Sequence, residues 1–596
     1  MTSANLQYAT ETWPNGLDSE TIPGSMSNVL YYGDNLRVLR KWIDDESADL
    51  IYLDPPFNSK RMYNEIFKDS IAQGRVFKDY WDWDDAAESA YREVVGAGSG
   101  APQATAALME SMRRILDKDK DTLAYLSMMA VRLIELHRVL KSTGSLFIQC
   151  DPTASHYLKV LLDTIFGHGR FINEITWKRT LPKGLMTRRL SNDHDVILAY
   201  AKGETWTWIE TEMFDPYDLE NIDEKTAQQY AKMDKDGRRY QLTSLLNPNL
   251  DRPNLTYEFL GVNRVWRWTK DRMQRAFDNG LVIQSSPGSV PRYKRYLDEQ
   301  RGRPLGDVWV DIPPALGEEQ LGYPTQKPVA LLSRILRLAS RPGDIVLDPF
   351  CGCGTTIEAC ERLGREWVGI DVAPQTVDII SKRMAKIGID DLQIVGWPND
   401  LDGATKLASD DKIGFQRWAV FMAGGRMPDG RKYKGGADGG IDGEIVFEDA
   451  GRKMRAIISV KGGGLGANDV RVLRNVVEDT RAQMGIFISM LEPTKAMRDV
   501  AREGGFVTDS NGREFRKIQL LMAEQLLLGK LPELPGMNVT PKSANPEPRK
   551  GDNLALPFGK NRPPAKAKEE REVAAKKRAT DPPEAPKIKK SGRPGR

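Results

Sequence analysis

Four cysteines and four histidines are all that 596 residues contain. A disulfide framework is therefore excluded in a chain this long, and the expected setting is a reducing cytoplasm. Cys351 and Cys353 stand too close for an ordinary metal pair, with few histidines to complete one; they read as small residues in a tight loop. No apolar run approaches the ~20 residues a membrane span needs, so no membrane partner is expected. The start, "MTSANLQYATETWPNG", lacks the charged-then-apolar order of a signal sequence. A strong charge of one sign is missing too. The net charge of +3 does not announce nucleic acid, but the last 36 residues hold twelve Lys and Arg against five Asp and Glu. The rest of the chain is net acidic, and a basic tail hints at a polyanionic partner.

What is present is a rhythm of short apolar strands and amphipathic helices. "NVLYYGDN" reads as strand and turn, with Leu36, Val38, Leu39 and Trp42 at helical spacing after it. The strand "ADLIYL" follows. Residues 60–120 are polar and dotted with aromatics, with a Gly/Ala/Ser stretch at 96–106 expected as a mobile loop. "LAYLSMMAVRLIELHRVLK" is a strong helix, "GSLFIQCD" a buried strand, "ASHYLKVLLDTIFG" a helix and "HDVILAYAKG" a strand. Such alternation is the mark of a parallel, doubly wound sheet. Residues 203–320 break it with charges, Asn, Pro and rings. Trp266 and Trp268 read as core there, while the Arg and Lys loops suit either a nucleic-acid surface or an ordinary α+β insertion. The rhythm returns from 328 with helix "PVALLSRILRLAS", strand "DIVLDPF", turn "CGCGTT", helix "IEACERL" and strand "REWVGIDV". A fresh globular pattern spans roughly 410–535, and the Pro-, Lys- and Ala-rich tail should be disordered. The expected segments are an arm at 1–27, catalytic half 28–202, insertion 203–320, cofactor half 321–398, second module 408–536 and tail 537–596.

Two strand ends carry the chemistry. "ADLIYL" runs into Asp54-Pro55-Pro56-Phe57. Neither proline can donate to a ladder, so the strand stops and the turn stiffens. A carboxylate and a ring are then held outside the sheet. The second end is "VLDPFCGCGTT", 346–356, in which Asp348 closes a strand and Gly352 and Gly354 turn the chain into a helix capped by Thr355 or Thr356. Glycines here let a ligand approach the backbone. The dinucleotide fingerprint is not met, because the third glycine is missing and an acid precedes the loop. That acid repels a pyrophosphate but attracts a cation. Asp371 ends the next strand, where an acid commonly takes ribose hydroxyls. A cationic ligand with a ribose points to S-adenosyl-L-methionine.

These residues resemble the signature of the amino-group DNA methyltransferases. Asp54-Pro55-Pro56-Phe57 matches their D/N/S-P-P-Y/F motif, "DPFCGCGTT" (348–356) their cofactor motif, "YPTQKP" (323–328) the segment before it, and Gly33-Asp34 a strand end on the cofactor side. The order resembles the β class, whose target-recognition region lies between two halves. The resemblance covers roughly 28–395. It implies an α/β, Rossmann-like, circularly permuted methyltransferase fold with an inserted target-recognition region, acting on double-stranded DNA. It also implies that Asp54 and the Pro55 carbonyl accept the N–H groups of the target amine, with Pro56 fixing the turn and Phe57 stacking on the extruded base. Asp34, Lys327, Asp348, Phe350, Gly352, Gly354, Thr355, Thr356 and Asp371 would line the cofactor. Asp in the first motif position favours adenine N6, serine being commoner for cytosine N4. No cysteine is needed, unlike ring-carbon methylation. A homodimer is compatible with the sequence.

Residues 410–535 resemble the Mrr-like branch of the restriction-endonuclease fold, a smaller α/β domain. Turn residue Asp442 and strand residue Lys461 match its motif, which would support Mg2+-dependent hydrolysis. The position two before the lysine is Ser459, a poorer metal ligand than the usual acid or Gln, with Asp438 or Glu444 as candidate replacements. Cleaving and non-cleaving readings both stand, as do a one-chain restriction-modification protein and an orphan modification enzyme. The competing classes are a DNA-binding protein without turnover and an RNA or protein methyltransferase.

Overall fold

The computed structural model describes residues 27–56, 61–64, 75–79, 83–96, 98, 100–181, 190–321, 323, 325–427 and 440–536. Phe57, Asp438, nearly all of the expected N-terminal arm and the whole of the expected tail lie outside these.

One sheet organises the first two-thirds of the chain. Its strands are β1 (Val29–Tyr32), β2 (Ala48–Leu53), β3 (Leu140–Cys150), β4 (Phe171–Lys178), β5 (His194–Ala201), β6 (Val308–Trp309), β7 (Ile345–Asp348), β8 (Glu366–Asp371) and β9 (Gln393–Val395). They lie in the order β6-β4-β5-β3-β2-β7-β8-β1-β9. All neighbours are parallel except β5, which runs against β3 and β4. The strands read as near-continuous apolar runs because both faces are covered. Leu50 and Tyr52 of β2 enter one layer, while Ile51 and Leu53 enter the other. Helices Lys120–Val139 and Ser155–Phe166 fill the second layer; Val329–Ala339, Thr355–Leu363 and Pro374–Lys386 fill the first. This is the expected Rossmann-like, doubly wound α/β sheet, with its halves out of chain order: β7 lies far beyond β2 in the chain yet pairs directly with it, Ile51 opposite Leu347.

Three segments differ from the sequence reading. The polar stretch 60–120 contains helices Asp85–Val95 and Gln103–Ile115, the second starting inside the segment expected as a loop. Tyr91, Val94 and Met109 bury one side of each helix, a narrow apolar stripe that aromatic and polar neighbours masked. Within 203–320, β6 returns to the main sheet beside β4, and Trp309 and Ile312 join its core. The remaining insertion has its own core around Leu245, Phe259, Trp266, Met273 and Val282. Trp266 is fully buried; Trp268 packs at the margin against Tyr293 and Arg272. Several of the arginines there are matched internally, Arg238 by Asp298 and Glu299, Arg301 by Glu210 and Arg303 by Asp223.

The C-terminal module holds a second sheet, β10 (Gly443–Asp449), β11 (Arg452–Lys461), β12 (Met484–Ser489) and β13 (Ile518–Met522), with only the first pair antiparallel. Helices Leu401–Asp410 and Lys412–Met422 lead into it. Its apolar interior is continuous with that of the main sheet: Leu30, Trp397, Trp418 and Ile445 belong to one buried cluster.

Candidate active site

Four acids stand in a row where the sheet's parallel centre ends. Asp54 follows β2, Asp348 closes β7, Asp371 closes β8 and Asp34 follows β1, and these four strands are consecutive neighbours. The carboxyl ends of parallel strands are where such folds bind ligands, because the connections diverge there. Two cations face the row: Lys327 is ion-paired to Asp54, and Arg132 Nη2 donates to Asp34 at 2.7 Å. The edge stays net acidic, which suits a cationic ligand and disfavours a pyrophosphate.

Each acid is held in its own way. Asp348 is buried; Thr356 Oγ1 and the Phe350 N–H donate to it. Burial, with help from the Asp54 and Asp371 carboxylates, pushes its acid up to about 7. Asp371 accepts the Gly352 N–H at 2.9 Å and the Ala373 N–H at 2.7 Å. Burial raises its acid as well, against those hydrogen bonds. The Thr376 hydroxyl and the Val372 N–H also act on this carboxylate. Asp34, expected on the cofactor, has a carboxylate that caps the helix Asn35–Trp42 through the Arg37 N–H and pairs with Arg132. Its neighbour Asn35 reaches the cofactor loop, donating to the Pro349 carbonyl at 2.8 Å.

The glycine loop is explained by packing. Gly352 and Gly354 have φ of +49° and +74°, a region that favours glycine. A Cβ on Gly354 would lie 2.7 Å from Ile380 Cγ1, and one on Gly352 would lie 3.3 Å from the Tyr323 hydroxyl. At both positions protein side chains are close neighbours. The threonines differ from expectation. Helix Thr355–Leu363 starts at left-handed Gly354 without a side-chain cap. Thr356 braces Asp348, while Thr355 Oγ1 donates to the Lys327 carbonyl at 3.1 Å. Phe350 is partly buried behind the loop. The Cys351, Cys353 and Cys360 thiols are buried and pushed up, so they stay protonated and unreactive.

The Asp54-Pro55-Pro56 turn sits beside this loop. Pro55 is buried and Pro56 partly so. Lys327, expected on the cofactor, puts its ammonium on Asp54 and also donates to the Thr325 carbonyl at 3.2 Å. Its segment is braced: Gln326 takes the Leu321 N–H and donates to the Glu319 carbonyl, and the Glu319 carboxylate accepts the Val329 N–H at the start of the next helix. Beneath the turn, Tyr52 donates to Gln149 at 2.6 Å, Gln149 donates to Asp195 at 2.9 Å, and Asp195 pairs with Arg179 at 3.2 Å. Sequence reasoning missed this chain, together with Asn35 and Arg132. An acid inside the apolar strand "HDVILAYA" was the available signal for Asp195.

A model of the DNA methylase family matches residues 48–382. The chain belongs to that family. Among curated relatives, the type II methyltransferase M.EcaI of Enterobacter cloacae is 29% identical over 368 residues, 60% of this chain and 70% of that one. The Mod subunit of the type III restriction-modification enzyme StyLTI of Salmonella typhimurium is 27% identical over 362 residues, 57% of this chain and 50% of that one. The M1.HpyAVI–SAM complex, a solved structure, is 16% identical with a TM-score of 0.28, covering 60% of this chain and 98% of that one. So low a TM-score adds nothing about the site. Residues 416–527 match a family described as NACHT-associated inactive Restriction Endonuclease 1.

In this second module the candidate metal ligands have protein partners. Glu444, a candidate replacement ligand, is buried and bracketed by Arg426 at 3.1 Å and Arg455 at 3.7 Å, so its charge is already spent. Asp442 accepts the Val460 N–H at 2.6 Å, Ser459 is buried and Lys461 is exposed. Among the described residues no group of three His, Cys, Asp or Glu is placed to hold a metal.

Proposed function

We propose that this chain methylates adenine N6 in double-stranded DNA as the modification enzyme of a restriction-modification system, with S-adenosyl-L-methionine as donor. The observation that carries it is the side-by-side placement of the Asp54 turn and the 348–356 loop on paired strands β2 and β7. When bound, the donor supplies an electrophilic sulfonium methyl. The exocyclic nitrogen of adenine is a poor nucleophile, its lone pair being delocalised into the ring. The Asp54 carboxylate and Pro55 carbonyl supply a fixed acceptor pair for its two N–H groups, favouring a more tetrahedral nitrogen. The prolines hold that pair before the base arrives, so the gain is proximity and preorganised electrostatics. The row of acids selects a cationic ligand, and Asp371 is the candidate ribose acceptor. Base extrusion costs a few kcal/mol, and stacking on Phe57 would offset it. Aspartate at position 54 favours adenine over cytosine.

The nuclease-like module is read as non-cleaving, on the Arg426–Glu444–Arg455 arrangement. Expression in a methylation-free host, followed by long-read sequencing and nucleoside mass spectrometry, tests the main reading. N6-methyladenine in a defined sequence context is the expected result. N4-methylcytosine would replace the base assignment, and unmodified DNA would overturn the reading.

A further inference from the structure

Lys327 touches both halves of the site through different atoms. Its ammonium is ion-paired to Asp54, and the two side chains are only 9% and 16% exposed. Its carbonyl accepts the Thr355 hydroxyl at 3.1 Å, at the first residue of the helix behind the glycine loop. That hydroxyl also receives Arg383 Nη1 at 3.1 Å, and the same nitrogen holds the Cys353 carbonyl at 3.0 Å. Arg383 is itself buried against Glu358. The peptide that presents the ammonium is thus fixed to the loop that would carry the donor.

We propose that Lys327 is a positioning residue for Asp54, setting the orientation and charge state of the carboxylate that receives the target amine. This rests on the methyltransferase reading above. A carboxylate on a strand-end turn has two rotatable bonds, and a wrong rotamer points its acceptors away from the base. A compact ammonium with three donors pins one oxygen without imposing a planar fork. The ammonium also offsets the other groups facing Asp54: Asp348 on β7, Tyr52 on its own strand and Cys150 on β3 all couple to its charge. Without the ammonium, the mostly buried Asp54 carboxylate loses the cation that favours its ionised form and takes up a proton at a higher pH, losing its capacity to accept two N–H bonds.

The test compares the full chain with Lys327→Met and Lys327→Arg, using tritiated S-adenosylmethionine and DNA from a methylation-free host. Three quantities are read: kcat, donor Kd by calorimetry, and the acid limb of the kcat–pH profile. Lys327→Met is expected to lose about 100-fold in kcat while donor Kd changes less than about threefold. Its acid limb should move up by about one pH unit or more. Lys327→Arg should recover at least about tenfold of the loss. A donor Kd weakened by about tenfold with kcat retained would make Lys327 a cofactor residue and overturn the proposal. A uniform loss with an unmoved acid limb and no recovery by arginine would reduce the lysine to scaffolding and overturn it equally. If Lys327→Met fails to fold by thermal melting, Lys327→Gln is judged by the same criteria. A wild-type chain that transfers no methyl group overturns the methyltransferase reading, and this proposal falls with it.

Discussion

Asp348 and Asp54 close neighbouring parallel strands, so two acids stand at the same end of the sheet with Leu347 paired to Ile51 behind them. Burial, with a smaller push from the Asp54 and Asp371 carboxylates, raises the Asp348 acid from the ordinary 3.8 to about 7. A folded-state acid raised above its unfolded value adds stability that is complete below about 4 and lost as pH rises through about 7. The ligand-free protein should therefore melt at progressively lower temperature from about pH 4 to about pH 7 and level off above that. Asp348→Asn, which cannot ionise, should not share that decline. A cationic donor favours the ionised acid, so its affinity should rise over the same window, with proton release visible as buffer-dependent calorimetric heats. Parallel melting curves for the two proteins would remove the electrostatic account.

Asp54→Ala should abolish methyl transfer, a loss of about 1,000-fold or more, while donor binding changes little. It should also cost stability, because Lys327 is left as an uncompensated and mostly buried charge, at about 3 kcal/mol. The joint result separates a chemical role from a folding defect. Near-normal turnover would contradict the acceptor-pair mechanism.

Much of this was legible in the sequence, and the reasons are local. β2 and β7 are short apolar runs ended by Asp-Pro, so strand type, strand end and acid could be read together. That the two strands pair is a long-range fact, accessible only through the family resemblance. The partner of Lys327 was not legible, because "TQKP" says nothing about which of the acids across the fold its ammonium meets. The crowding at the loop glycines was hidden for a similar reason: a positive φ can be anticipated from "GCGTT", but Ile380 and Tyr323 as the close neighbours cannot. Helix Gln103–Ile115 was obscured because a Gly/Ala/Ser-rich start resembles a loop until tertiary burial of Met109 rewards the helix.

Gly354→Ala tests the packing explanation. The new methyl would meet Ile380 at 2.7 Å from a backbone already at φ +74°. Strain and overpacking together should cost about 2–4 kcal/mol, read as a lowered melting temperature without donor. If only donor affinity falls, the glycine serves ligand approach after all.

The second module should not cut DNA. Purified full-length chain incubated with unmethylated DNA and Mg2+ should leave it intact. Ser459→Glu alone should not create a nuclease, because Glu444 stays neutralised between Arg426 and Arg455. Magnesium-dependent nicking by the unaltered chain would sink the non-cleaving reading.

If the module does not cut, its firm attachment needs another cause, and the shared interior supplies one. Tyr32 of β1 meets Trp397 edge-on at 5.1 Å, donates its hydroxyl to the Gly414 carbonyl at 3.2 Å, and Trp397 in turn meets Phe421 at 5.9 Å. Arg37 adds a hydrogen bond to the Asp410 carbonyl at 2.8 Å. Trp418, fully buried and stacked on Phe415, sits in the cluster common to both sheets. A tethered module would unfold by itself, whereas two sheets sharing one core should melt together. Trp418→Ala should therefore cost about 3–5 kcal/mol and lower one common calorimetric transition. Methyl transfer should be lost at that same, lower temperature. Two separated transitions, with only the C-terminal one shifted by the substitution, would mean that the methyltransferase sheet does not depend on the module behind it.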